Sequence, residues 1–244
     1  MRFTGQDIVI LGGSSGIGLA VARAALEEGG SVSIASSRQE TVDKAHAALK
    51  ADYPAAKIRA QAVNVANEDS LDEFFKGVGP FDHLVYTAGE DLPLSLIVNK
   101  DLNQARERFE IRYWGALAAA KHGSSLIRAG GSITLTSGFS SMHPRSGWTL
   151  QASIQSAVEG LTRALAVELA PTRVNAVSPG ISRTPRWDNK SESELEKFYG
   201  DEERRLPLRR VGEAAELSTA YLYLMENTYS TGTVIVVDGG GGLV

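Results

Sequence analysis

Cysteine is absent from the 244-residue sequence, which removes disulfides, thiolate metal sites and cysteine nucleophiles at once. Histidine is scarce, and His46, His83, His122 and His143 show none of the close spacings that metal ligation requires, so no metal site is expected. No apolar run of about 18 residues occurs. The stretch from Met1 to Ile10 lacks a charged segment followed by an apolar core, so neither a membrane span nor a secretion signal is expected and a cytoplasmic location is inferred. An excess of positive charge is missing too. Lys plus Arg number 25 against 29 Asp plus Glu, a formal charge of -4, which gives nucleic acid and anionic lipid no general attraction to this surface. The partner expected is a small molecule.

What the sequence does hold is alternation. Short β-branched runs recur at residues 8–11, 32–35, 58–63, 84–86, 133–136, 174–177 and 234–237, and each reads as a buried strand. Between them the apolar residues take a helical period, as with Leu19 and Leu26 around Arg23, or Ala157, Leu161, Leu165 and Leu169 along one face. A chain that alternates strand and helix in this way needs right-handed crossovers. The result is a parallel sheet with helices on both faces and a ligand outside the carboxyl ends of the strands. The length fits a single domain over residues 1–244. Residues 181–210 are polar, charged and poor in strand signal. That is too long for an ordinary connection, and a partly helical lid over a site is expected there.

The first strand runs directly into Gly12, Gly13, Ser14, Ser15, Gly16, Ile17 and Gly18, where a helix opens. Glycines at a strand-to-helix turn let the backbone approach a diphosphate, which the helix N-terminal amides then hold. The spacing is Gly-x-x-x-Gly-x-Gly, with Val21 in the last place of the commoner Gly-x-Gly-x-x-Gly pattern. In that spacing the chain resembles the short-chain dehydrogenase/reductase family. Further motifs carry the resemblance: Thr87-Ala88-Gly89, Gly131-Ser132-Ile133, the run from Arg173 to Pro179-Gly180 with Thr184, and Val237-Asp238-Gly239-Gly240. It extends from about Gly5 to Gly240.

The resemblance implies an α/β fold, a single doubly wound Rossmann domain with a seven-stranded parallel sheet in the order 3-2-1-4-5-6-7. A nicotinamide dinucleotide would lie across the carboxyl edge, against Gly12, Ser14, Ser15, Gly16, Ile17, Gly18, Ala88, Gly89, Gln155, Pro179, Gly180 and Thr184. Asn64-Val65 takes the place of the Asp-Val pair usual beside adenine. A homodimer or homotetramer is also implied, since relatives pair the helices that here contain Arg112 and Gln155. The alanines of 116–120 and 157–166 would permit close approach. Cofactor choice follows from the end of the second strand, where Ser36, Ser37 and Arg38 replace the carboxylate that binds a ribose diol. A guanidinium there forms a forked contact with a 2′-phosphate. NADP(H) is therefore the expected cofactor, and a solvated Arg38 is the alternative.

Family members exchange protons through an Asn, Ser, Tyr and Lys set. Flanking residues fix the corresponding positions here as Arg112, Gly138, Gln151 and Gln155, with Ser137 or Ser140 as a substitute for the serine if the loop is shifted. A glutamine amide does not titrate at neutral pH, so simple alcohol dehydrogenation is not expected. In these losses the chain is similar to divergent family members of fungal indole alkaloid pathways that act as iminium reductases, cyclases or rearrangement catalysts. Three candidates remain for catalysis. Arg112 would anchor a carboxylate or stabilise negative charge, or else pair with Glu107 on an exposed helix face. It lies beside a stripe of Leu102, Ala105, Phe109, Ala116 and Ala120 that is expected to be buried. His143 titrates near neutrality in a loop, or is merely solvated. Tyr113, with Trp148 and Trp187, would wall a flat substrate, or belong to the core. Three functions stay open: an NADPH-dependent reductase of an activated C=N, C=C or C=O bond, a non-redox isomerase or cyclase, and a non-catalytic NADP(H)-binding protein.

Overall fold

The computed structural model describes residues 1–89, 94–188 and 190–244. Among the described residues nine strands form, β1 (Asp7–Leu11), β2 (Ser31–Ser36), β3 (Ile58–Ala62), β4 (Phe81–Tyr86), β5 (Ile127–Thr136), β6 (Arg173–Pro179), β7 (Ser182–Arg183), β8 (Gly212–Glu213) and β9 (Val234–Val237). Seven make one parallel sheet in the order β3-β2-β1-β4-β5-β6-β9. This is the expected order, with two short strands inserted before the last. Those two, β7 and β8, pair with each other in a separate two-stranded sheet.

Period-2 alternation sends successive strand residues to opposite faces, and both faces are buried. Val9, Leu11, Leu84, Tyr86, Ile133 and Leu135 join one core. Ile8, Ile10, Val32, Ile34 and Val85 join the other. The second core is closed by α1 (Gly16–Glu27), α2 (Gln39–Asp52) and α8 (Ala214–Glu226). The first is closed by α3 (Glu68–Val78), by α5 (Gly115–Gly123) and by α6 (Thr149–Glu168). Each fully buried Leu, Ile or Phe contributes roughly 1.5–3 kcal/mol, so these two layers dominate the stability of the fold. Between α3 and α5 runs α4 (Leu102–Phe109), which buries none of its own residues. The remaining helix, α7 (Glu192–Arg205), starts from a capping box between Ser191 and Glu194 and gathers a small cluster of Tyr199, Leu206 and Val211.

His83 sits inside β4 and bonds Ser132 Oγ of β5 at 2.9 Å and Gln6 Oε1 at 3.2 Å. Burial pushes its pKa down to about 4, so it is a neutral tie between strands.

One expectation about a helix face is corrected. Leu102 is 60% exposed, because α4 lies on the surface and none of its residues is fully buried. Of the alanines in 116–120 and 157–166, Ala116, Ala119, Ala120 and Ala166 belong to the chain's own core, whereas Ala118 and Ala157 are half-buried and Ala164 is exposed. The outward surface there also carries Trp114 and Val167.

Candidate active site

At the carboxyl ends of β1 and β4 two turns lock together through backbone. Gly12 has a φ of +90°, and a Cβ on it would lie 2.5 Å from the amide nitrogen of Ala88. A Cβ on Gly18 would lie 2.2 Å from the carbonyl oxygen of Gly12. Neither position has room for a side chain. Ser15 occupies the N-cap of α1 without capping it, and no acidic residue stands in the first turn. The amides of that turn are thus left facing outward with the positive end of the helix dipole, a setting that favours an anion.

These turns form one end of a cleft of about 540 Å³. Gly12, Ser15, Gly16, Ile17, Gly18, Ser37, Arg38, Asn64, Val65, Ala88, Gly89, Gln155, Pro179, Gly180 and Thr184 all line it. Ser14 does not, and its hydroxyl lies 3.5 Å from that of Thr41. Gly180 is pressed against Asp238, whose Cα would be 2.5 Å from an added Cβ. The Asp238 carboxylate accepts from the amides of Gly240 at 2.9 Å and Gly242 at 2.7 Å, which fixes the segment that Gly180 packs on. Arg38 follows β2 at the N-cap of α2. Among the described residues no acidic side chain pairs with it.

The other end of the cleft is made of side chains. Glu110–Trp114 forms a π turn between α4 and α5, an arrangement that inserts a residue and re-aims those around it. Tyr86 donates its hydroxyl to the carbonyl of Ile111 inside that turn, and Gly115 makes room, since a Cβ there would lie 2.4 Å from the Tyr86 oxygen. As a result Arg112 faces inward. Its guanidinium covers Gly89, with Cζ 2.5 Å from where a Cβ on that glycine would stand. The inward reading of Arg112 therefore holds, and the pairing with Glu107 on an exposed face does not describe this residue.

Tyr113 packs against the core and sets its ring edge-on to Phe109 at 6.5 Å and Trp114 at 5.1 Å. His143 is exposed and lies against Gly242. Neither is among the residues lining the cleft. The placement of both differs from the expectation, because the π turn rotates Tyr113 away and the loop of His143 folds toward residues 238–242. Trp148 and Trp187 do line the cleft, joined by Phe139 and Phe198, which sequence reading did not single out. Phe139 and Trp148 meet edge-on at 5.4 Å, and Trp187 and Phe198 lie 4.7 Å apart.

Gln151 and Gln155 project from successive turns of α6 into the same end. Gly138 and Gln155 occupy one space between them, since a Cβ on Gly138 would lie 2.3 Å from the Gln155 amide nitrogen. Ser140 donates its hydroxyl to Gln155 Oε1. Ser137 donates to the Gln155 carbonyl at 3.2 Å and to Glu159 Oε1 at 2.8 Å, and Ser141 donates to the same Glu159 oxygen at 2.5 Å. All three serines near Gly138 are thereby engaged by α6. Among the described lining residues the only ionisable side chains are three arginines, Arg38, Arg112 and Arg186. None of them releases a proton at neutral pH.

A family model described as an SDR-like Rossmann domain matches residues 2–244. A short-chain dehydrogenase/reductase of Stachybotrys chlorohalonatus is 36% identical, with 97% of this chain and 96% of that protein aligned. Among solved structures, a small-chain dehydrogenase in complex with NADPH superposes with a TM-score of 0.87 at 37% identity, covering 98% of this chain and 99% of that one. The MalC reductase/Diels-Alderase from Malbranchea aurantiaca superposes with a TM-score of 0.93 at 31% identity, covering 100% of this chain and 98% of that one.

Proposed function

We propose, from the premise that this chain belongs to the short-chain dehydrogenase/reductase family, that it is an NADP(H)-dependent reductase of a substrate already activated toward hydride. One observation carries the reading: a cleft fitted to a dinucleotide holds, among its described lining residues, no side chain able to act as a general acid. When bound, NADPH supplies the hydride. The close backbone approach at Gly12, Gly18 and Gly180 fits a diphosphate and its riboses, with the open first turn of α1 opposite the diphosphate and Arg38 opposite a 2′-phosphate. Ser37 flanks the phosphate, and Asn64 and Val65 border the adenine.

In this reading Arg112, Gly138, Gln151 and Gln155 replace the proton-exchanging set of the family. An iminium accepts hydride and becomes a neutral amine with no proton required, whereas a polarised C=O or C=C becomes an alkoxide or enolate that takes its proton from solvent afterwards. Arg112 provides a fixed guanidinium where negative charge would build up on a carbonyl or an anionic group. Phe139, Trp148, Trp187 and Phe198 make an aromatic wall suited to a flat substrate. Residues 181–210, including α7, act as the lid, since Ile181, Trp187 and Phe198 all reach the cleft. Tyr113 and His143, outside the cleft, have no part in the chemistry.

A second reading, orientation of a substrate for cyclisation without redox change, draws support from the likeness to MalC and from the same lack of a general acid among the described lining residues. Purified protein titrated into NADPH and followed by nicotinamide fluorescence tests the first requirement. The second test is turnover of a candidate substrate with NADPH consumption recorded. Arg112→Ala should abolish turnover while NADPH still binds. Product formation without NADPH oxidation would favour the cyclase, and unchanged turnover in Arg112→Ala would remove Arg112 from the chemistry.

Assembly into a homodimer or homotetramer belongs to the same proposal. Its support is the outward apolar surface at Trp114, 51% exposed, and Val167, 81% exposed. Light scattering at micromolar concentration should give twice or four times the 26.0 kDa chain mass, and a monomer would refute it.

A further inference from the structure

Glu202 is a buried carboxylate outside the cleft. It lies on α7 one turn beyond Phe198, so the two share a helix face. Arg145 reaches it from the loop before α6 with both fork nitrogens, at 2.6 Å and 3.1 Å. Arg205 adds Nε at 3.1 Å and Nη2 at 2.9 Å. The third guanidinium nitrogen of Arg205 donates to the carbonyls of Gly241 at 3.2 Å and Val244 at 3.0 Å. Burial opposes the charge on Glu202, and the hydrogen bonds from Arg145 and Arg205 overcome it, which holds the carboxyl below its ordinary range.

The cluster reaches the cleft through Arg145. That guanidinium lies 4.6 Å from the ring centre of Trp148 and 5.7 Å from that of Phe139, and both rings are lining residues. On the other side Phe198, also a lining residue, is carried on the helix of Glu202 itself. One carboxylate therefore ties together the two walls of the aromatic end, one on the loop of residues 139–148 and one on α7. These walls are far apart in the chain and share no sheet hydrogen bonds.

We propose that Glu202 is a positioning residue for the substrate end of the cleft. Through Arg145 it fixes the spacing between the Phe139 and Trp148 wall and the Phe198 wall, leaving the nucleotide end unaffected. The inference rests on the reading that the aromatic end receives the substrate. A salt bridge that merely stabilises the fold would act everywhere or through charge alone, whereas a positioning role needs the planar fork and the flat face of Arg145 on Trp148.

Amide hydrogen exchange by mass spectrometry, with and without NADPH, separates these cases for the unmodified protein, Glu202→Gln and Arg145→Lys. In both variants, peptides spanning 139–148 and 192–205 should exchange at least about tenfold faster. The peptide spanning 7–18 and the Kd for NADPH should stay within about twofold. Unchanged exchange in 139–148 in both variants would overturn the proposal. So would uniform acceleration across the sheet, or an Arg145→Lys protein indistinguishable from the unmodified one. Should Glu202→Gln not fold, Arg145→Lys decides alone. Failure of the unmodified protein to bind NADPH would count against the proposed function, while the exchange measurements would still judge the role of Glu202.

Discussion

Replacing Arg38 with alanine is expected to weaken NADPH binding by about ten- to a hundredfold and to leave NADH binding nearly unchanged. A charge-assisted contact to a phosphate is worth roughly 1.5–3 kcal/mol, and every 1.4 kcal/mol or so is a factor of ten. The position lets the experiment be read cleanly. Arg38 contributes to the fold through its carbonyl, which accepts from the Thr41 hydroxyl at 2.9 Å and from the Val42 amide at 3.1 Å, and alanine retains that carbonyl. Paired titrations of the two nucleotides against both proteins supply the measurement. Equal affinity for NADPH and NADH in the unmodified protein would show that Ser36, Ser37 and Arg38 do not select the phosphate.

Simple ketones and secondary alcohols are expected to turn over at least about a hundredfold below the rates common among enzymes, which lie near 1–10³ s⁻¹, because a positioned general acid is worth about 10²–10⁴ in rate. Changing pH should not recover activity, since the ionisable side chains among the described lining residues are all arginines. Restoring the relay is less simple than exchanging Gln151→Tyr and Gln155→Lys. Gly138→Ser alone would force its Cβ into the Gln155 amide, 2.3 Å away, and should destabilise the protein. The serine becomes tolerable only once Gln155 has been replaced by a side chain that takes another path. The triple replacement is thus the smallest change expected to introduce ketone reduction, measured as NADPH oxidation with a simple cyclic ketone. Ordinary ketone turnover by the unmodified protein would mean that a group outside this account donates the proton, and activity in the double variant alone would show that no hydroxyl is needed at 138.

Where chemistry is written into local pattern, the sequence could be read directly. The seven strands of the sheet follow from β-branched runs, and the cradle at Gly12 to Gly18 from glycines at a strand-to-helix turn, because each of these is settled within a few residues. Arg112 could not be oriented in that way. A helical wheel assumes an even rotation per residue, and the π turn at Glu110–Trp114 breaks it, so Arg112 turns inward and Tyr113 turns away. Leu102 misled for a related reason, since periodicity marks an apolar face without showing that anything covers it. His143 lies in a loop whose path is set by distant contacts near Gly242. The fit of Gly138 to Gln155 and the meeting of Arg145 with Glu202 join residues well separated in the chain. No window of sequence contains either pair.

The cradle and the reacting end differ in what they are made of, and this difference bears on how such a protein can change. At Gly12, Gly18 and Gly180 the contact surface is peptide backbone brought close by the lack of a side chain, so nearly any replacement there is a steric fault and the recognition it offers has little room to vary. At Arg112, Gln151 and Gln155 the surface consists of side chains carried on the π turn and on α6, with Gly138 beyond the end of β5 leaving room for one of them. Those can be exchanged without disturbing the sheet, provided that neighbours such as 138 and 155 change in step. In the proposed reading, dinucleotide capture rests mainly on the main chain, with Arg38 adding the preference for a phosphate, while the reaction is a removable fitting, set by a few side chains at the far end of the same cleft.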